Sequence, residues 1–168
     1  MIKAVIFDLD GTLVYLPINY DLLFEEFGRI AKTGEVRPLT LTISRLDEDK
    51  KKEIFEVWDK AEFEALAKMT SNKRGIAIYR EFSEKPKALV TMQGRALVLT
   101  VLERLNLSFD FLATREVCLD RVEQLKIAAE NLGSTLPNIL FVGNTDSDLH
   151  AAKKAGCQFL RVTDESLV

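Results

Sequence analysis

The chain opens with the apolar run Val5-Ile6-Phe7, which breaks at Asp8-Leu9-Asp10-Gly11-Thr12. So short an apolar run, closed by turn formers, reads as a buried strand that delivers its last residues to a loop. The two carboxylates stand two positions apart; they repel each other, and burial penalises both. A bound cation or a chemical role offsets such a cost. The pair therefore marks a hard-metal site with an aspartate able to act as a nucleophile.

The remaining apolar runs define the sheet to which this strand belongs. After the first run at 4–7 they lie at 88–90, 109–113, 139–142 and 159–162. Helical patterns fill the gaps between the last four. One covers 93–105. A second begins near Asp120, where Asp120 and Glu123 have capping-box spacing, and ends at Gly133 in a C-cap position. A third begins at Thr145, with Asp148 three residues on, and stops at Gly156. Strands alternating with helices predict an α/β fold, a three-layer Rossmann-like parallel sheet of about five strands covered on both faces.

The first gap has a different character. Between residues 16 and 84 there is no convincing strand, but amphipathic helical patterns recur at 20–32, 47–69 and 75–82. Leu22, Leu23, Phe24, Phe27 and Ile30 form one stripe; Ile54, Phe55, Trp58, Phe63 and Leu66 form another. The pattern predicts an all-helical insertion over 16–83 in a core made of 1–15 and 84–168. Pro86, within Lys85-Pro86-Lys87, is the expected hinge back into the core.

Composition narrows the function. At 168 residues, 47% apolar and 29% charged, the chain suits one globular core with a small insertion. A formal net charge of -3 argues against nucleic-acid or anionic-membrane partners, so phosphate chemistry would need local positive charge. Two cysteines and the lack of a secretory or spanning pattern predict a cytoplasmic protein with reduced thiols. A single histidine, His150, removes Ser–His and multi-histidine metal schemes, leaving catalysis to carboxylates. His150, Cys118 and Cys157 lie among apolar or helical neighbours without metal-ligand spacing and read as structural.

In open α/β sheets, ligands bind beyond the carboxyl ends of the strands. Asp8 and Asp10 close the first strand, Thr91 closes the second, and Gly143-Asn144-Thr145 follow the fourth. Three separated segments thus bring polar groups to one rim.

The segment DLDGTL resembles the first motif of the haloacid dehalogenase-like superfamily, whose members are mostly magnesium-dependent phosphatases. The resemblance covers roughly residues 1–14 and 85–162; the insertion resembles that family's helical cap in position only. It implies that Asp8 is the nucleophile, forming an aspartyl-phosphate, and that Asp10 is general acid and then general base. Thr91 matches a second motif whose hydroxyl donates to a phosphate oxygen. One Mg²⁺ would be held by the Asp8 carboxylate, the Asp10 carbonyl and the fourth-strand residues Asn144 and Asp148, with Asp146 a lesser candidate. The insertion would act as a lid.

Two positions depart from the family pattern. Asn144 stands where an aspartate is usual, removing a charge from the metal site. Leu119 aligns with the usual third-motif lysine, so Arg121 or Lys126 would supply the cation, with Arg121 better placed and Arg115 a weaker choice. Structural alternatives stay open. Thr91 or Asp148 could cap the following helix, and Arg121 could lie on the surface. The expected activity is Mg²⁺-dependent hydrolysis of a small phosphorylated metabolite. The alternatives are a phosphotransferase or mutase on the same core, and a catalytically weakened binding or regulatory module. Asp10 suits phosphatases rather than dehalogenases. Neither the substrate's identity nor the oligomeric state has a readable motif.

Overall fold

The computed structural model describes residues 1–163. Its centre is β1 (Ala4–Phe7), every residue of which is buried. β1 is flanked in parallel by β4 (Lys87–Val90), with Val5 opposite Lys87, and by β6 (Ile139–Gly143), with Val5 opposite Leu140. β5 (Phe111–Ala113) and β7 (Gln158–Arg161) complete the order β5-β4-β1-β6-β7. The chain builds outward through β4 and β5, then returns across β1 to build β6 and β7. β1 therefore sits at the reversal, where such sheets bind ligands.

One face of the sheet carries Ala4, Ile6, Ala88, Val90, Ala113, Ile139 and Phe141. They pack against Leu125, Ala128 and Ala129 of α6 (Arg121–Asn131) and Ala151 and Ala152 of α7 (Asp146–Ala155). Small residues on both helices let them approach the strands closely. On the other face, Phe7 meets Tyr79 at 5.9 Å and Phe109 at 6.0 Å between ring centroids. The β4–β5 crossover, α5 (Arg95–Leu105), buries Leu97, Val98 and Val101. The helices that follow β5 and β6 end as their capping residues predict. Asp120 accepts the Glu123 N–H, Thr145 and Asp148 form a reciprocal capping box, and Gly156 takes the left-handed conformation at φ 92°.

The chain divides into two compact units, Met1–Leu16 with the chain from Met69 onward, and Pro17–Lys68. Within the second, α1 (Tyr20–Ala31) and α3 (Glu48–Leu66) pack through Phe27 and Trp58, 5.4 Å apart. A short α2 (Leu39–Ser44) adds Ile43.

The expected insertion boundary at residue 83 differs from this division, because α4 (Lys73–Glu81) belongs with the core. Tyr79 joins the aromatic cluster on Phe7. The Lys87 ammonium donates to the carbonyls of Phe82, Ser83 and Lys85 at 3.1, 3.1 and 3.0 Å, binding the end of α4 to β4. Two strands in this region carry no sequence pattern. β2 (Val14–Tyr15) and β3 (Thr70–Ser71) form a two-residue antiparallel ladder, too short to show alternation.

Gly75 explains how closely α4 meets the first loop. A Cβ there would lie 1.7 Å from the Thr12 carbonyl oxygen, which is backbone and cannot step aside cheaply. Gly75→Ala is therefore expected to destabilise by about 1–3 kcal/mol, lowering Tm by roughly 3–10 °C in a thermal melt. An unchanged Tm would contradict this packing.

Candidate active site

The loop after β1 folds around a single carbonyl. The N–H groups of Thr12, Leu13 and Val14 all donate to the Leu9 oxygen, at 3.2, 2.9 and 3.2 Å. Gly11 takes φ 85°, a conformation that favours glycine. A Cβ at Gly11 would meet Asn144 Nδ2 at 2.1 Å, so the bare backbone lets the β6 loop close against the β1 loop. Gly143 acts similarly on the facing side, since a Cβ there would lie 2.8 Å from Asp148 Oδ2. The two glycines bring Asp8, Asn144 and Asp148 together.

Asp8 is buried at the end of β1. Its Oδ1 accepts from Arg121 Nη2 at 3.3 Å, and its Oδ2 accepts from the Thr12 hydroxyl at 3.2 Å. Burial pushes the Asp8 carboxyl up to about 7, against the lowering influence of Arg121; Asp148 and Asp10 raise it further. The Arg121 guanidinium also faces Asp148, with Nε 3.8 Å from Oδ1. Its Nη1 donates to the Val90 carbonyl at 2.8 Å, and its Cζ lies over the Phe141 ring, 5.9 Å from the centroid. Arg121 is thus not a surface arginine. It is the cation between two buried acids, arriving from the first turn of α6 two positions after Leu119.

The two readings of Asp148 divide between its oxygens. Oδ2 accepts the Asn144 and Thr145 N–H groups at 3.1 and 3.3 Å and completes the cap of α7, while Oδ1 faces Arg121. Asp10 Oδ1 accepts the Leu16 N–H at 2.9 Å. Thr91 is buried; it accepts the Gln93 N–H at 3.2 Å and its hydroxyl bonds the Gln93 side chain. It does not cap α5. That helix begins after Gly94 without a side-chain cap, and the Glu116 carboxylate accepts the Arg95 N–H at 3.0 Å.

Three candidates are placed elsewhere. Lys126 is exposed and ion-paired with Glu123 at 3.3 Å, so the position that suggested a lysine substitute lies on the solvent side of α6. Asp146 pairs with Arg161 at 2.6 Å, away from Asp8. Arg115 is buried but donates to the Met92 carbonyl at 3.1 Å, bracing the loop that follows Thr91. Both cysteines are free thiols, and burial pushes Cys157 up to about 11, which keeps it protonated. His150 is exposed.

Two further residues tie the loops of the site together, Thr12 from within the first motif and Asn72 from outside any motif. Thr12, whose Oγ1 also lies 3.3 Å from Asn144 Oδ1, links the β1 and β6 loops. Asn72 donates its N–H to Leu13 O at 2.8 Å and its Nδ2 to Gly11 O at 3.4 Å, while its Oδ1 caps α4. Only the turn-forming character of an asparagine ahead of Gly75 hints at this role.

The groups that converge on Asp8 are oxygen donors: the Asp8 and Asp148 carboxylates and the Asn144 amide carbonyl. They suit a hard divalent cation in kind. No cluster of three or more acidic, histidine or cysteine ligands occurs among the described residues, and Asn144 contributes an amide oxygen.

Asp8 also gives the metal-free protein a pH dependence. Its carboxyl rises from 3.8 to about 7 on folding, so the folded state holds a proton that the unfolded chain releases. The associated stability is present below about pH 4 and is lost as pH rises through 7. Asp8→Asn is therefore expected to exceed wild type by about 1–4 kcal/mol at pH 8, with the gap closing toward pH 4 in chelator-treated thermal melts. A less stable Asp8→Asn at pH 8 would refute the burial account.

Known proteins share this architecture. No family model matches the chain. It is 27% identical over 180 residues to the Clostridium perfringens protein named "putative pyrophosphatase PpaX", covering 94% of this chain and 82% of that protein. Among solved structures, a haloacid dehalogenase-like hydrolase of Bacteroides fragilis matches with a TM-score of 0.73 at 18% identity, over 98% of this chain and 89% of that one. A family IA hydrolase of Entamoeba histolytica matches with a TM-score of 0.71 at 20% identity, over 98% and 85%. CbbY of Rhodobacter sphaeroides, solved with phosphate, matches with a TM-score of 0.67 at 15% identity, over 97% and 87%. With its strand order, its reversal at β1 and the acids at that strand's end, the chain has the fold of the haloacid dehalogenase-like hydrolases.

Proposed function

We propose that the protein is a phosphatase that hydrolyses a small phosphorylated metabolite through a phosphoryl group carried on Asp8. The observation that supports this most strongly is the convergence around Asp8 of Arg121 from α6, Thr12 from its own loop, Asn144 from the loop after β6 and Asp148 from the first turn of α7. A chain that needed only to fold would have no reason to bury two acids around one guanidinium at the reversal of its sheet.

In the forward step an Asp8 oxygen attacks phosphorus while the bond to the leaving oxygen breaks, and Asp10 gives that oxygen its proton. In the second step Asp10 takes a proton from water, the water oxygen attacks phosphorus, and the Asp8–phosphorus bond breaks to release inorganic phosphate. For the first step the Asp10 carboxyl must turn from the Leu16 N–H toward the leaving group, a rotation of one short side chain. Arg121 spreads positive charge toward the phosphoryl oxygens as it does toward the Asp8 carboxylate. Thr91, at the end of β4, supplies a hydroxyl donor once its bond to Gln93 is exchanged for one to phosphate.

Mg²⁺ is the proposed cofactor, held by the Asp8 and Asp148 carboxylates, the Asn144 side-chain oxygen and the Asp10 carbonyl. When bound it would neutralise charge between Asp8 and the phosphoryl group. With an amide at position 144 the site has one charge fewer than an all-acid set, and the affinity is expected to be correspondingly weak.

The activity is proposed to be cytoplasmic, in keeping with the two free thiols, and to need no nucleic acid or membrane partner. No helix among the described residues is long and apolar enough to cross a membrane. A binding or regulatory module is the reading that Asn144 favours, and the assay below separates the two.

Wild type is expected to hydrolyse p-nitrophenyl phosphate in millimolar Mg²⁺ and to stop in EDTA. Asp8→Asn is expected to be inactive, and Arg121→Met is expected to lose about 100-fold or more in kcat/KM. Equal, negligible rates in every sample would favour the module.

A further inference from the structure

We propose that Gln124 is the positioning residue that sets Arg121 against Asp8, allowing the cation of this site to come from helix α6. The inference rests on the function proposed above.

Gln124 is fully buried on the second turn of α6, three residues after Arg121 and hence on the same face of the helix. Its Nε2 lies 2.7 Å from the Cys118 carbonyl, 2.9 Å from the Thr91 carbonyl and 3.4 Å from the Ala113 carbonyl. These oxygens belong to the loop before α6, to the residue after β4 and to the end of β5. One amide therefore ties the start of α6 to the rims of two strands. Arg121 Nη1 meanwhile donates to the Val90 carbonyl at 2.8 Å. The two side chains grip consecutive carbonyls at the end of β4. With that grip fixed, the second arm of the guanidinium falls 3.3 Å from Asp8 Oδ1.

The amide's orientation follows from its surroundings. Reversed, its oxygen would face three carbonyl oxygens, so Nε2 must be the inward atom. The Oε1 that results is buried without a hydrogen-bond partner. An orphaned buried acceptor is unfavourable, and a side chain serving only to fill space would be better replaced by an apolar one of the same shape. Gln124 is present for its donors. Ordinary packing does not require donors at the spot that determines where Arg121 begins its reach.

The test reads Arg121 directly. In ¹⁵N-labelled full-length protein, the Arg121 Nε–Hε signal is assigned by its loss in Arg121→Lys. In Gln124→Met, and in the gentler Gln124→Asn, this signal is expected to shift and to exchange with water about tenfold faster or more, with each variant confirmed folded by circular dichroism. The variant that folds decides. In parallel, kcat/KM for p-nitrophenyl phosphate is expected to fall at least about tenfold. Adding Gln124→Met to Arg121→Met should change it by less than about twofold, because the two act through one group. An Arg121 signal identical to wild type in the folded variants overturns the proposal, as does a full multiplicative loss in the double variant. If the wild type proves inactive, the phosphatase reading fails while the Arg121 signal still decides the role of Gln124.

Discussion

One guanidinium holds the rim of this sheet together. Folding brings Asp8, from the end of β1, and Asp148, from the first turn of α7, into a buried space that neither would enter alone. Arg121 sits between them, at 3.3 Å from one and 3.8 Å from the other. Removing that guanidinium would leave two buried carboxylates out of water and unpaired, a loss that typically destabilises by about 3–5 kcal/mol. The elevated carboxyl of Asp8 shows that the balance is incomplete even with Arg121 in place. Burial is the main cause of that elevation, and a bound cation would offset it further.

The main chain around this cluster is shaped to let it close. Three glycines stand where a side chain would collide with the neighbouring loop: Gly11 against Asn144, Gly75 against Thr12, and Gly143 against Asp148. The first two remove a methyl group from contacts between segments far apart in sequence, and the third lets the start of α7 fold back on the end of β6. The hydrogen bonds of Asn72 to the Leu13 and Gly11 carbonyls then fix the loop that carries Asp10 and Thr12. The polar network is continuous from α4 through the β1 loop to α7.

Much of this was legible in the residues. The strand runs and the caps at Asp120, Thr145 and Gly156 depend on local chemistry, and they are found where the pattern places them. The division of the chain was less legible, since α4 has the same amphipathic period as α1 and α3, and only its packing on Phe7 and Thr12 assigns it to the core. Position favours Arg121 over Lys126 already in the sequence, and the helix turns the first toward Asp8 and the second toward Glu123 and solvent. Gln124 was invisible for another reason. Its role depends on three carbonyls from three segments, and carbonyls leave no mark on a sequence.

Turnover by this route requires Asp8 to carry the phosphoryl group. The most direct measurement is borohydride reduction of the protein during hydrolysis of a phosphomonoester, followed by peptide mass spectrometry. Reduction of an aspartyl-phosphate leaves homoserine, which is expected at Asp8 and at no other acid, in a yield that depends on substrate. Steady turnover with Asp8 unmodified, or homoserine at Asp10 or Asp148, would contradict it.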